Sequence, residues 1–152
     1  MLENFSDGIE QIRTVIIPSR VSYPFYFPYS TKRSTIREAA DLFASNQSLA
    51  PYVATPMNVV KKMLEYAELK PWETVYDLGC GDGRIPITAA QEFGARGVGV
   101  DLNINLVREA QAKVAALDLG SKVKIVHGNL LEIDLRHADV VTMYLTTGAN
   151  EK

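Results

Sequence analysis

The sequence predicts an α/β fold built on a parallel sheet, and three observations carry that prediction. From Thr74 onward, short apolar runs alternate with stretches of helical periodicity, the pattern of successive βαβ units. Runs such as Val98-Gly99-Val100 and Asp139-Val140-Val141-Thr142-Met143-Tyr144-Leu145 are nearly continuously apolar, as parallel strands covered on both faces must be. The stretch Thr74–Ala90, TVYDLGCGDGRIPITAA, reads as strand, glycine-rich turn and helix, with Gly79, Gly81 and Gly83 alternating behind Asp77.

Within this frame the elements follow in order. Val75–Leu78 is strand one. Arg84–Phe93 is a helix that tolerates Pro86 in its first turn and ends on Gly94. Gly97–Leu102 is strand two. Asn103 caps a helix from Ile104 to about Leu117, with Ile104, Val107, Ala110, Val114 and Leu117 facing inward and Gly120 ending it. Val123–Val126 is strand three and Asp139–Leu145 strand four, in the spatial order three, two, one, four. Before them, Thr55 is an N-cap and Pro56 a first helical residue. The helix they start runs to about Leu69 and buries Val60, Met63, Leu64 and Ala67.

Residues 1–50 read as an arm and a helix, and residues 51–152 as the ligand-binding domain. Leu2, Phe5, Ile9 and Ile12 fall at roughly helical spacing. A second helix starts at the capping box Thr35…Glu38 and buries Ile36, Ala39, Ala40 and Phe43. Between the two, Pro18, Pro24 and Pro28 forbid a long helix and favour extended chain. Five of the thirteen aromatic residues lie between Tyr23 and Tyr29, and five basic residues with no acid lie between Gln11 and Arg37. Such interleaving suits single-stranded nucleic acid or a membrane surface. It equally suits an extended arm docked on its own domain through large rings, and the second reading is preferred here.

Composition narrows the function classes. At 152 residues, 47% hydrophobic and 22% charged with a net charge of −2, the chain has an ordinary globular composition. It has no overall pull toward nucleic acid or anionic lipid. The only cysteine, Cys80, excludes an internal disulfide and suits a reducing, cytoplasmic setting. No run approaches the roughly 18 apolar residues of a membrane span, the acidic N-terminus is unlike a signal peptide, and no metal-ligand cluster stands out. The chain stops seven residues after strand four and reads as the front part of a larger domain. Strand four is then an exposed apolar edge through which the protein could self-associate.

The ligand of the glycine turn can be argued by elimination. A phosphate loop needs a lysine after the glycines, and none follows. A dinucleotide fingerprint needs its third glycine at position 84, which is Arg84. Asp77 and Asp82 would also repel a pyrophosphate at the helix N-terminus. S-adenosylmethionine carries an ammonium and a sulfonium and no phosphate, so an acid at the strand end suits it. Asp101, 22 residues after Gly79, is placed to accept the two ribose hydroxyls. Asn129, in His127-Gly128-Asn129-Leu130, offers its amide oxygen to an exocyclic adenine amine, or is simply a turn residue.

Asp77-Leu78-Gly79-Cys80-Gly81-Asp82-Gly83 matches motif I of class I methyltransferases. From Pro51 onward the chain resembles small archaeal protein-lysine methyltransferases of the seven-strand class and their mitochondrial relatives. Tyr52-Val53-Ala54-Thr55-Pro56, VYDLGCGDGRIPITAA, GVGVDLN, VHGNLLEID and VVTMYLTT carry the resemblance. It implies a Rossmann-like fold and S-adenosylmethionine held by Asp77, Gly79, Cys80, Gly81, Gly83, Asp101, Leu102, Asn129 and Leu130. Tyr52 and Thr55 would lie over the cofactor, and Tyr144 would line the acceptor entrance or pack on the next strand. The implied reaction is in-line methyl transfer to lysine ε-amines of proteins. Alignment and desolvation can supply most of its acceleration, and the amine must first lose its proton. The loop acids Glu132 and Asp134, and His127 at a strand end, read as solvated or structural groups. Cys80 lacks a partner base and reads as a small side chain beside the cofactor. Met143–Thr147 lacks the prolines of the nucleobase-amine methylating motif, so nucleic acid is not the expected substrate. Two further readings stay open: a methyltransferase of small molecules, and a non-catalytic cofactor-binding module completed by another chain.

Overall fold

The computed structural model describes residues 13–18, 25–27 and 54–145. In chain order the elements are β1 (Arg13–Pro18), β2 (Phe25–Phe27), α1 (Met57–Tyr66), β3 (Thr74–Leu78), α2 (Arg84–Phe93), β4 (Arg96–Asp101), α3 (Ile104–Ala116), β5 (Val123–His127), a 3-10 turn (Leu130–Glu132) and β6 (Val140–Leu145). The helices expected before Gln11 and after Ser34 lie outside the described residues, as does Tyr52.

One sheet runs β2-β1-β6-β3-β4-β5. Its four strands β5, β4, β3 and β6 are parallel and reproduce the predicted order three, two, one, four. The arm supplies the other two. β1 pairs parallel to β6 along its whole length, from Arg13 against Val140 to Pro18 against Leu145, and β2 closes antiparallel on β1. The expectation of an exposed strand-four edge, and of self-association through it, is therefore corrected. That edge donates and accepts its hydrogen bonds within the chain, so it is no template for a second copy. Arg13 anchors the strand. Its backbone N–H donates to the Asp139 carbonyl. Its guanidinium caps the end of α1 at the Ala67 and Glu68 carbonyls and pairs with Glu73.

Three apolar clusters hold the layers together. Val60, Met63 and Leu64 of α1 meet Ile85 and Ala89 of α2 over Val15, Val75 and Val140 of the sheet. On the same face, Val107, Ala110 and Val114 of α3 pack with Ile87, Ala90, Val123 and Ile125. On the opposite face, Leu78, Val100, Val141 and Met143 are covered by Leu130 and Ala138, with Ile133 and Leu135 alongside. The predicted α1 face, Val60, Met63, Leu64 and Ala67, is wholly buried. The predicted α3 face is buried only in its middle, since Ile104 and Leu117 at its ends are 39% and 46% exposed.

Local endings differ from expectation in instructive ways. Asn103 caps α3 as predicted, its side chain accepting from the Asn105 and Leu106 N–H groups, and Gly94 ends α2 in the left-handed region. Thr55 does not cap α1. Pro56 occupies the cap position and its carbonyl accepts from Val59 and Val60. Thr55 is itself buried, with its carbonyl held elsewhere. Helix α1 ends at Tyr66, short of Leu69, and Glu68 takes a left-handed φ of 51°. Asp118 at φ 54°, and not Gly120, turns the chain after α3.

Candidate functional site

The site forms where the carboxyl ends of β3, β4 and β5 meet, the position at which open α/β sheets bind ligands. The chain leaves β3 through Gly79, Gly81 and Gly83, at φ 82°, 55° and 80°. At Gly83 the requirement is double, because a Cβ there would also lie 3.0 Å from the Ala110 Cβ. The turn is closed from inside. Gly79 and Cys80 both donate to the Val100 carbonyl at 2.8 and 3.0 Å, and Gly83 donates to the Cys80 carbonyl at 2.9 Å. Helix α2 can then lie close on β4 because Gly97 and Gly99 have no side chain. A Cβ at Gly97 would stand 2.5–2.7 Å from Pro86, and one at Gly99 would stand 2.8 Å from Cys80.

Asp101, at the end of β4, is buried and organises this corner. Its Oδ2 accepts the Gly81 N–H at 2.8 Å and its Oδ1 the Asn103 N–H at 2.8 Å, while its carbonyl accepts from Gly128. One lone pair of each carboxylate oxygen is thus used by the fold and a second remains for hydroxyl donors. Asn129 lies at the neighbouring strand end. Its amide oxygen accepts the Leu131 N–H at 3.0 Å and caps the 3-10 turn, so the turn role is real. Among the described residues its second lone pair and amide NH₂ meet no partner, which leaves them for a ligand. Leu130 is buried beside it, and Leu102, following Asp101, is 43% exposed. His127 reaches the Leu102 carbonyl at 2.9 Å through Nε2, a structural contact. Glu132 is exposed. Asp134 is exposed too, and its hydrogen bonds to Arg136 hold its carboxyl down at about 2. Cys80 is buried, and burial together with the surrounding carboxylates pushes its thiol well above the ordinary range. It is no nucleophile.

Asp77 is the unusual group. It is 2% exposed, and its Oδ1 accepts the Thr142 hydroxyl at 2.8 Å. Its Oδ2 meets no donor among the described residues. Burial raises its carboxyl from 3.8 to about 7. The Thr142 hydrogen bond opposes the rise, and the negative charges of Asp101 and Asp82 add to it. A buried carboxylate oxygen left open costs stability unless something cationic meets it.

Two features were not anticipated from the sequence. One is Thr142, whose only signal is a lone hydroxyl in the apolar run Val140–Leu145. The other is the network around Asp82. Burial alone would raise the Asp82 carboxyl, but Arg84 and Lys113 pull it well below the usual carboxylate range. Arg84 binds it through Nε and Nη2 at 2.9 and 2.8 Å, and Lys113 through Nζ at 2.8 Å. The remaining arm of Arg84, Nη1, donates to the Thr55 carbonyl at 2.8 Å. Thr55 is thereby brought to the glycine turn, but through its backbone. Tyr144 lies on β6, the strand next to β3, with its backbone paired to Ile17.

A sheet of this order with a glycine turn after its first central strand defines the class I methyltransferase fold. The chain is similar to an RNA methyltransferase from Salinibacter ruber, solved in complex with S-adenosyl-L-homocysteine. The TM-score is 0.60 and the identity 44%, over 61% of each chain. It is 49% identical over 102 residues to a protein-lysine N-methyltransferase of Saccharolobus islandicus, covering 66% of this chain and 63% of that one. It is 38% identical over 68 residues to a ribosomal protein L11 methyltransferase of Alkaliphilus metalliredigens, covering 45% of this chain and 22% of that one. Residues 77–152 match the ANTKMT methyltransferase domain, and the chain belongs to that family. It spans less than two-thirds of the length of these curated relatives.

Proposed function

We propose that this chain binds S-adenosylmethionine and that the protein transfers its methyl group to lysine ε-amines of a protein substrate. The observation that carries the cofactor reading is Asp77, a buried carboxylate with one oxygen open beside a phosphate-excluding glycine turn. The donor set fits the cofactor. Asp77 suits the ammonium of its methionine end, and the free lone pairs of Asp101 suit the ribose hydroxyls. The Asn129 amide suits the adenine edge, flanked by Leu102 and Leu130. The backbone of Gly79, Cys80, Gly81 and Gly83 allows close approach. Tyr52 and Thr55 would cover the site, and Tyr144 would stand at the acceptor entrance.

When bound, the cofactor supplies a methyl group on a sulfonium leaving group. What the chain supplies is placement. The closed turn and the Arg84–Thr55 contact set the position of the site. A lysine amine, ordinarily near 10.4, must lose its proton before it can accept the methyl group, and it does so more readily wherever it is poorly hydrated. The identity to the archaeal protein-lysine enzyme supports lysine as acceptor. The likeness to the Salinibacter protein favours a second reading, RNA as acceptor. The single cysteine, buried and without a disulfide partner, suits a reducing cytoplasm.

Calorimetry with S-adenosylhomocysteine tests the cofactor reading. Binding is expected for the native chain and a loss of at least tenfold for Asp77→Ala and for Asp101→Ala; unchanged affinity in both refutes the assignment. Radiolabelled transfer to a lysine-rich protein, with RNA in parallel, separates the acceptors. Binding without turnover on either would leave the module reading in place of the enzyme.

A further inference from the structure

The sheet register places one row of residues side by side: Val15 of β1, Thr142 of β6, Asp77 of β3, Gly99 of β4 and Ile125 of β5. Among these five residues Asp77 is the only acid and Thr142 the only one whose side chain donates a hydrogen bond; the row continues beyond Val15 to Tyr26 of β2. Thr142 is fully buried, and its hydroxyl meets Asp77 Oδ1 at 2.8 Å. On its far side stands Val15, which is apolar and fully buried, so nothing in the row competes for that hydroxyl. On the other side of Asp77, Gly99 has no side chain and its space is taken by Cys80.

Among the described residues, the charged and titratable groups around Asp77 are Asp101 at the end of β4, Asp82 in the turn and the neutral Cys80 thiol. None is cationic. The charges of Arg84 and Lys113 are turned to Asp82. A buried carboxylate among like charges is driven to its neutral form, and a neutral acid cannot pair with a cationic ligand.

We propose that Thr142 is a positioning residue for cofactor binding, donating its hydroxyl to Asp77 Oδ1 so that the carboxylate is held ionised with Oδ2 open to the ligand's ammonium. This rests on the cofactor reading above and extends it to a residue on a different strand, outside the glycine motif. The hydroxyl donates best to the anion, and the Asp77–Thr142 register fixes the carboxyl rotamer.

The test is calorimetry of S-adenosylhomocysteine binding to the full chain, Thr142→Val and Thr142→Ser, from pH 5.5 to 8.5. Valine keeps the shape and removes the donor, while serine keeps the donor. The native chain is expected to lose affinity as the pH falls through neutrality. Thr142→Val is expected to bind roughly ten- to a hundredfold more weakly at pH 7, with the midpoint of its pH profile moved upward by about one to two units. Thr142→Ser is expected to restore the native profile. A Thr142→Val profile superimposable on the native one overturns the proposal while leaving the cofactor reading intact. Absence of binding by the native chain at every pH overturns both. If Thr142→Val does not fold, Thr142→Ala removes the same hydroxyl without a branched side chain, and the same two outcomes apply.

Discussion

Replacing Asp77 with asparagine should make the ligand-free protein more stable and the cofactor-binding protein worse. Burial raises the Asp77 carboxyl from 3.8 to about 7. Between these values the unfolded chain has lost its proton and the folded chain keeps it. The folded state therefore binds more protons, and stability falls as the pH rises through this window, levelling off above it. Roughly three pH units at about 1.4 kcal/mol each put the loss at about 4 kcal/mol above neutrality. Asparagine has the same shape, keeps an oxygen for the Thr142 hydroxyl and cannot ionise. Its NH₂ needs an acceptor in a buried place, so about half of that amount, ~2 kcal/mol, should be recovered. Urea denaturation of ligand-free native protein and Asp77→Asn, followed by circular dichroism, measures this directly. The variant should be the more stable of the two at pH 8, and the order should reverse toward pH 4.5, where the native carboxyl has regained about 3 kcal/mol. Affinity for S-adenosylhomocysteine at pH 8 should fall roughly tenfold or more. Equal stability at pH 8, or a native protein that gains on the variant as the pH rises, would refute the reasoning about Asp77.

Two other outcomes follow from the packing of the turn. Gly97→Ala puts a Cβ within 2.7 Å of the Pro86 backbone, which cannot rotate away. It should cost about 1–3 kcal/mol, read as a lower denaturation midpoint. Cys80 should stay unmodified by iodoacetamide at pH 8 in the native protein and react once urea unfolds it, by mass spectrometry. Native-state labelling at a free thiol's rate would show that the turn opens.

The parallel core was legible in the sequence because each of its elements announces itself locally. Val60, Met63, Leu64 and Ala67 repeat at helical spacing, β6 is apolar throughout, and Asn103 stands immediately before a helical pattern. Motif I was legible because its glycines are required by backbone φ and close approach, constraints that act within a few residues. What escaped depends on register between distant segments. β1 was hidden because Arg13–Pro18 ends in a proline and sits among basic and aromatic residues that suit several fates. Its partner lies at the other end of the chain. Thr142 meets Asp77 only because β6 and β3 pair in one particular register. Thr55 has the composition of a cap, but the Arg84 guanidinium takes its carbonyl and the following proline assumes the cap position.

The pairing of β1 with β6 also has a temporal side. Arg13 is hydrogen-bonded through Asp139 and lies opposite Val140, so strands separated by almost the whole chain close one side of the sheet. On the ribosome β1 emerges well before its partner β6. Segments β3 to β5 can assemble through local crossovers, whereas β1 waits for a loop closure of roughly 120 residues. The seating of β1 therefore follows the pairing of β3 to β5, and nascent chains that stop short of Leu145 would leave it without its strand.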